Sequence, residues 1–109
     1  MTDRVYSMIG IAEKAGKVAS GEFSTEKAIK GGKACLVILA SDASENTRKH
    51  FSDMCAWRNI PILLYGKKEE LGRAIGKEMR VNLAITDKGL ADSIRKRIEE
   101  ADANWNRPS

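Results

Sequence analysis

The chain has little of what most catalytic and metal-binding sites are built from. It holds one histidine, His50, and two cysteines, Cys35 and Cys55, in 109 residues, and their spacing matches no pattern of metal ligands. Both cysteines fall in apolar or helical stretches, which favours buried free thiols over a disulfide. Aromatics are sparse at 6%. Tyr6, Phe23, Phe51, Trp57, Tyr65 and Trp105 are scattered, without the paired strand aromatics on which single-stranded bases stack. The longest strongly apolar run, Ala34 to Ala40, is far too short to span a bilayer. The opening Met1-Thr2-Asp3-Arg4 lacks the charged-then-apolar pattern of a secretory leader, so a cytoplasmic protein is expected.

What is there is ordinary in amount and basic in balance. A hydrophobic share of 42% and a charged share of 31% fit one globular domain, expected over residues 1–103. The net charge of +4 and a pI near 9.2 tilt the protein toward polyanions. No basic tail carries that excess: Arg95-Lys96-Arg97 is answered by Glu99, Glu100 and Asp102, as on a solvated helix face. An anionic partner would meet a folded, localised patch.

Helical and extended patterns alternate along the chain. Val5, Met8, Ile9, Ala12 and Ala15 form one helical stripe over Arg4 to Ala15, closed by Gly16. Lys17 to Ser20 reads as a short strand, Glu22 to Lys30 as a helix stopped by Gly31-Gly32, and Ala34 to Ala40 as a strand covered on both faces. Ser44 caps a helix to about Trp57, with Phe51, Met54 and Cys55 inward and Trp57 covered or partly covered. Ile62 to Tyr65 follows Pro61 as a third strand, Lys68 to Ile75 forms a short helix, and Val81 to Thr86 a fourth strand. Asp87 caps a last helix along Leu90, Ala91, Ile94, Ile98 and Ala101, leaving Asn104 to Ser109 as a loose tail. This order predicts an α/β fold, a three-layer α/β/α sandwich around a sheet of about four mixed strands.

Ligands of open α/β sheets gather beyond the carboxyl ends of strands. Those ends release Gly21, Ser41-Asp42, Gly66-Lys67-Lys68 and Thr86-Asp87; the place of the last depends on the strand order. Gly21 suits a sharp strand-to-helix turn, and the helix start beyond it offers free amides and a positive dipole end to an anion. Lys27 and Lys30, three apart, share a helix face, and Lys33 follows. The Gly76-Lys77-Glu78-Met79-Arg80-Val81 segment interleaves charge with apolar surface. Either it presses on an unstacked base while holding its phosphate, or Val81 merely begins a strand and Met79 fills a gap. An enzyme finds little support: His50 sits mid-helix among polar residues, Asp42 has no titratable partner at recognisable spacing, and neither a P-loop nor a dinucleotide fingerprint occurs. No cofactor and no metal are expected.

The order of segments is familiar. Gly21 through Lys33, then Leu36-Val37-Ile38-Leu39-Ala40-Ser41-Asp42, Asn59-Ile60-Pro61 and above all Glu70-Leu71-Gly72-Arg73-Ala74-Ile75-Gly76 resemble the ribosomal protein L-seven-Ae family of kink-turn RNA binders, and most closely its bacterial YlxQ-like branch. The resemblance covers about Met8 to Asp92 and implies a sandwich that grips a sharply bent RNA internal loop with sheared G·A pairs. By similarity, Gly21 permits close approach, Lys27 takes the family's helix lysine, and the loop from Lys77 to Val81 covers a flipped-out nucleotide. The usual helix start is Gly-x-Asn-Glu-x-Thr-Lys, whereas Phe23, Ser24 and Glu26 stand here in place of Asn, Glu and Thr. Phe23 has none of the amide hydrogen bonds an Asn would supply.

The expectation is a non-catalytic protein for structured, kink-turn-like RNA, with ribosomal RNA as a candidate, that binds through Gly21, Ser24, Lys27, Lys30, Ser41, Asp42, Met79, Arg80 and Val81. The rival is a protein-interaction subunit of the same fold that has lost tight RNA recognition, with Phe23 as an apolar anchor. A nucleotide enzyme comes third, resting on the α/β layout alone.

Overall fold

A computed structural model of the chain describes residues 3–105, with side chains described through residue 101. Helices and strands alternate as α1 (Arg4–Lys14), β1 (Val18–Ser20), α2 (Glu22–Lys30), β2 (Leu36–Leu39), α3 (Glu45–Trp57), β3 (Ile62–Leu64), α4 (Lys68–Ala74), β4 (Asn82–Ile85) and α5 (Lys88–Trp105). Local chemistry sets the boundaries. Asp3 Oδ1 accepts from Val5 N at 2.7 Å and opens α1. Ser44 Oγ accepts from Thr47 N at 3.2 Å, and Asp87 Oδ2 from Leu90 N at 2.9 Å, as side chains at helix starts do. Of the expected loose tail, Asn104 and Trp105 belong to α5, and 106–109 lie outside the described residues.

The four strands lie in the order β1-β4-β2-β3. β2 and β3 are parallel, while β4 runs antiparallel to both β2 and β1. The sheet is therefore mixed, as expected. Side chains alternate across it. Leu36, Ile38, Leu83 and Ile85 join Val5, Ile9, Leu71, Ile94 and Ile98 under α1, α4 and α5. Val37, Leu39 and Ala84 join Ile29, Phe51 and Cys55 under α2 and α3. Each buried aliphatic side chain stabilises the fold by about 1.5–3 kcal/mol relative to exposure, and the two clusters make the three layers. No helix among the described residues is long and apolar enough to cross a membrane.

Three expectations about burial need correction. Trp57, read as covered, is 83% exposed; it lies two residues past the fully buried Cys55, about 200° round the helix, and so points outward. Ala15, the C-cap of α1, and Ala101, in the last turns of α5, end their stripes exposed. Cys35 is a free thiol but only partly buried, because it precedes the covered strand, while Cys55 is buried.

Candidate nucleic-acid interface

Strand directions decide which loops meet. β1, β2 and β3 run the same way, so their carboxyl ends release Gly21, Ser41 and the Gly66 loop at one end of the sheet. Because β4 is antiparallel, Thr86-Asp87 leaves at the opposite end, and Arg80-Val81 enters at this one.

Gly21 turns the chain from β1 into α2 with φ 87° and ψ 157°, and no side chain caps the helix. The first intrahelical bond at this end runs from Thr25 N to Gly21 O at 2.9 Å. The amides of Glu22, Phe23 and Ser24 are thus left to solvent or a ligand at the positive end of the helix dipole. Beside them lies a recess of about 330 Å³ lined by Ser20, Gly21, Glu22, Thr47, Met79, Arg80, Val81 and Asn82. So four of the expected residues, Gly21, Met79, Arg80 and Val81, are brought together.

The loop that supplies Met79 and Arg80 is pinned on both sides. Arg80 N donates to Lys68 O at 2.9 Å, and Ala40 N donates to Val81 O at 2.8 Å. Arg80 Nε donates to Ser20 Oγ at 3.2 Å, and Nη1 to Met79 O at 2.9 Å, which aims the guanidinium along the recess. Met79 is 53% exposed, so it is more than a gap-filler. Val81 leads into β4 and lines the recess.

The other expected residues are distributed around this centre. Ser24 and Lys27 line a neighbouring groove on the β1 side of α2. Lys30 sits further along the helix, where its Nζ is 3.0 Å from Glu26 Oε1. Glu26 Oε2 also meets His50 Nε2 at 3.3 Å, and the hydrogen bonds from Lys30 and His50 hold the Glu26 carboxyl below its ordinary range. Lys30 is therefore partly answered within the protein, whereas Lys27 and Arg80 make no ion pair among the described residues. Ser41 and Asp42 are exposed at the same end but already engaged. Ser41 Oγ donates to Gly66 O at 2.8 Å, and Asp42 Oδ1 accepts from Lys68 N at 3.1 Å. Their work is to tie the β2 and β3 exits to the start of α4.

Sequence reasoning missed Ser20, Thr47 and Asn82. Asn82 is buried at 2% exposure, and its Oδ1 has no hydrogen-bond partner among the described residues. A polar residue interrupting an apolar strand was the available signal. Gly72 was seen only as part of a motif. A Cβ there would fall on the Glu78 carbonyl, so its absence lets the loop before Met79 fold back against α4.

His50 is exposed, with its ring edge against Phe51 at a centroid distance of 5.2 Å. No group of His, Cys, Asp or Glu among the described residues could hold a metal ion.

The model of the ribosomal protein L7Ae/L30e/S12e/Gadd45 family matches residues 3–95. The chain is 42% identical over 89 residues to the RNA-binding protein YlxQ of Bacillus subtilis (strain 168), covering 82% of this chain and 89% of that protein. It is 35% identical over 96 residues to the RNA-binding protein YlxQ of Enterococcus faecium, covering 88% and 92%. Among solved structures, a Bacillus halodurans protein of unknown function superposes with a TM-score of 0.87 at 36% identity, over 90% of this chain and 99% of that one. The Giardia lamblia 15.5kD RNA binding protein shares the fold, with a TM-score of 0.73 at 22% identity over 91% and 85%.

Proposed function

The chain belongs to the ribosomal protein L7Ae/L30e/S12e/Gadd45 family, and from that premise we propose that it is a non-catalytic, cytoplasmic RNA-binding protein whose ligand is a kink-turn-like bend, with ribosomal RNA as a candidate source. RNA binding itself is supported by the family and by relatives named as RNA-binding proteins. The preference for a bend rests on one observation: the uncapped start of α2 and the Met79–Val81 loop face each other across a single recess.

Regular A-form RNA hides its base edges in a deep, narrow major groove. A sharp kink opens that groove and gathers phosphates at its apex. The amides after Gly21 suit such a phosphate, and Lys27 reaches base edges or phosphates beside them. Met79 offers apolar surface to a nucleotide turned out of the stack, and Arg80, with no carboxylate partner among the described residues, supplies charge next to it. Ser24 and Lys30 extend the contact along α2, while Ser41 and Asp42 brace the start of α4, where Lys68 O holds Arg80 N. Binding prefers the bent RNA over the extended form and so shifts a conformational population, with no covalent chemistry.

Titration of a kink-turn duplex against the same duplex without its G·A pairs tests this reading. Tighter binding to the bend is expected, and Lys27→Ala should weaken it by about 1–3 kcal/mol, the value of a base-edge contact. Equal affinity for the two RNAs would overturn the proposal.

A further inference from the structure

The far end of the sheet carries a groove of about 570 Å³ that the RNA reading leaves unused. It forms where α2 runs out at Lys30, β2 and β3 begin just after Cys35 and Pro61, and α5 starts at Lys88. Strand register fixes its place. Leu36 pairs with Ile85 and Val37 with Ile62 at this end, whereas the recess lies at the end where Leu39 pairs with Asn82. The two sites can be filled together.

Cations stand on both walls. Arg58, at the end of α3, lies on one side of the sheet, and Lys88 and Arg95, seven apart on one face of α5, on the other. Lys88 Nζ is 3.1 Å from Asp92 Oδ2 and Arg95 Nε is 3.3 Å from Glu99 Oε2. Both are exposed pairs of the kind that contribute little and exchange readily. Arg58 makes no ion pair among the described residues, and its Nη1 donates only weakly to Met54 O at 3.5 Å. Lys30, answered by Glu26, closes one corner. The lining between the walls is apolar, from Ile29, Ala34, Ile60 and Pro61, and no aromatic side chain belongs to it among the described residues.

We propose that this groove binds a short acidic segment of a protein partner, with carboxylates at Arg58, Lys88 and Arg95 and an aliphatic side chain against Ile60 and Pro61. Complementary charge on the two walls sets the sign of the partner. The lining sets its class. Bases of an unpaired strand stack on aromatic side chains, which this groove lacks, and an unbroken row of phosphates would meet Asp92. A peptide can place a neutral residue at that point and use the aliphatic surface. The inference stands apart from the kink-turn reading.

The test titrates the full chain into short fluorescent peptides of alternating glutamate and leucine, glutamate and serine, or lysine and leucine. The glutamate–leucine peptide should bind most tightly, lose affinity with salt, and slow thiol modification of Cys35, which lines the groove. Arg58→Glu and Arg95→Glu, at exposed positions, should each weaken it roughly tenfold or more, as opposed like charges do. Arg58→Lys should keep most of the affinity. Lys49→Glu, on α3 but outside the groove, should leave it unchanged. No binding of this peptide, equal binding of the lysine–leucine peptide, or an equal loss with Lys49→Glu overturns the inference. So does an oligouridylate that displaces the peptide and shields Cys35 in its place, which would make the groove a nucleic-acid site. Peptide that stays bound when a kink-turn duplex is added supports a separate site, and displacement by the duplex counts against it.

Discussion

Gly72 approaches Glu78 so closely that a single added Cβ would coincide with the Glu78 carbonyl. The same stretch is held by the bond from Lys77 N to Gly72 O at 2.8 Å. A helix interior ordinarily favours Ala over Gly by about 1 kcal/mol, so a glycine there marks a contact that outweighs propensity. Gly72→Ala should destabilise the protein by about 1–3 kcal/mol, as overpacking of a tight site does. Thermal melting should show a lower midpoint, and RNA affinity should fall with it, because Met79–Val81 moves with the displaced loop.

Gly21 makes a different prediction, since a Cβ there would meet nothing within 4 Å. Its cost is purely one of backbone: φ 87° with ψ 157° lies where only glycine is at ease. Gly21→Ala should lower stability by about 1–3 kcal/mol in chemical denaturation. An unchanged midpoint would mean that the turn relaxes freely.

Tyr6 couples α1 to α4 and carries a pH signature. Its hydroxyl donates to Glu70 Oε1 at 2.9 Å, and burial, then that bond and the carboxylate's charge, raise its pKa above the ordinary 10. A raised folded pKa gives stability that is complete below pH 10 and is lost as pH climbs beyond it. Glu70 behaves oppositely: the Lys67 backbone amide and then the Tyr6 hydroxyl hold it low, so its contribution is lost as pH falls through the acidic range. Tyr6→Phe should cost about 0.5–1.5 kcal/mol at neutral pH and flatten the fall in stability above pH 10. Urea titrations from neutral to alkaline pH would measure both.

The two thiols should react at different rates. Burial pushes the Cys55 thiol up to about 11, and the side chain is fully buried. Cys35 is partly exposed, its Sγ 3.7 Å from Lys33 O. A thiol-specific disulfide reagent at mildly alkaline pH should modify one cysteine, Cys35, in the folded protein and both after denaturation. Equal rates in the folded state would contradict the buried position of Cys55.

Much of the molecule follows from neighbours in the chain. The helix caps at Ser44 and Asp87, the glycine turn at Gly21 and the stop at Gly31 were all legible, because caps and turns depend on groups only a few residues apart. The same holds for the inward stripes of α1 and α5 and the fully covered β2, since periodicity alone assigns a face. The family resemblance pointed to the loop before Val81. Trp57 is the exception: residue type alone favours the core for a large aromatic, whereas its angular position relative to Cys55 places it in solvent.

From its own order of residues, then, the chain determined its elements, their inward faces, its family and its leaning toward an anionic partner. The tertiary structure decided the strand order β1-β4-β2-β3, and with it that Arg80-Val81 rather than Thr86-Asp87 shares an end with Gly21. It also decided that Lys30 is answered by Glu26 and that, among the described residues, Lys27 has no ion pair and Asn82 leaves a buried oxygen unpaired beside the recess. These are relations between residues distant in sequence, set by which strands pair and in which direction, and no local propensity encodes them.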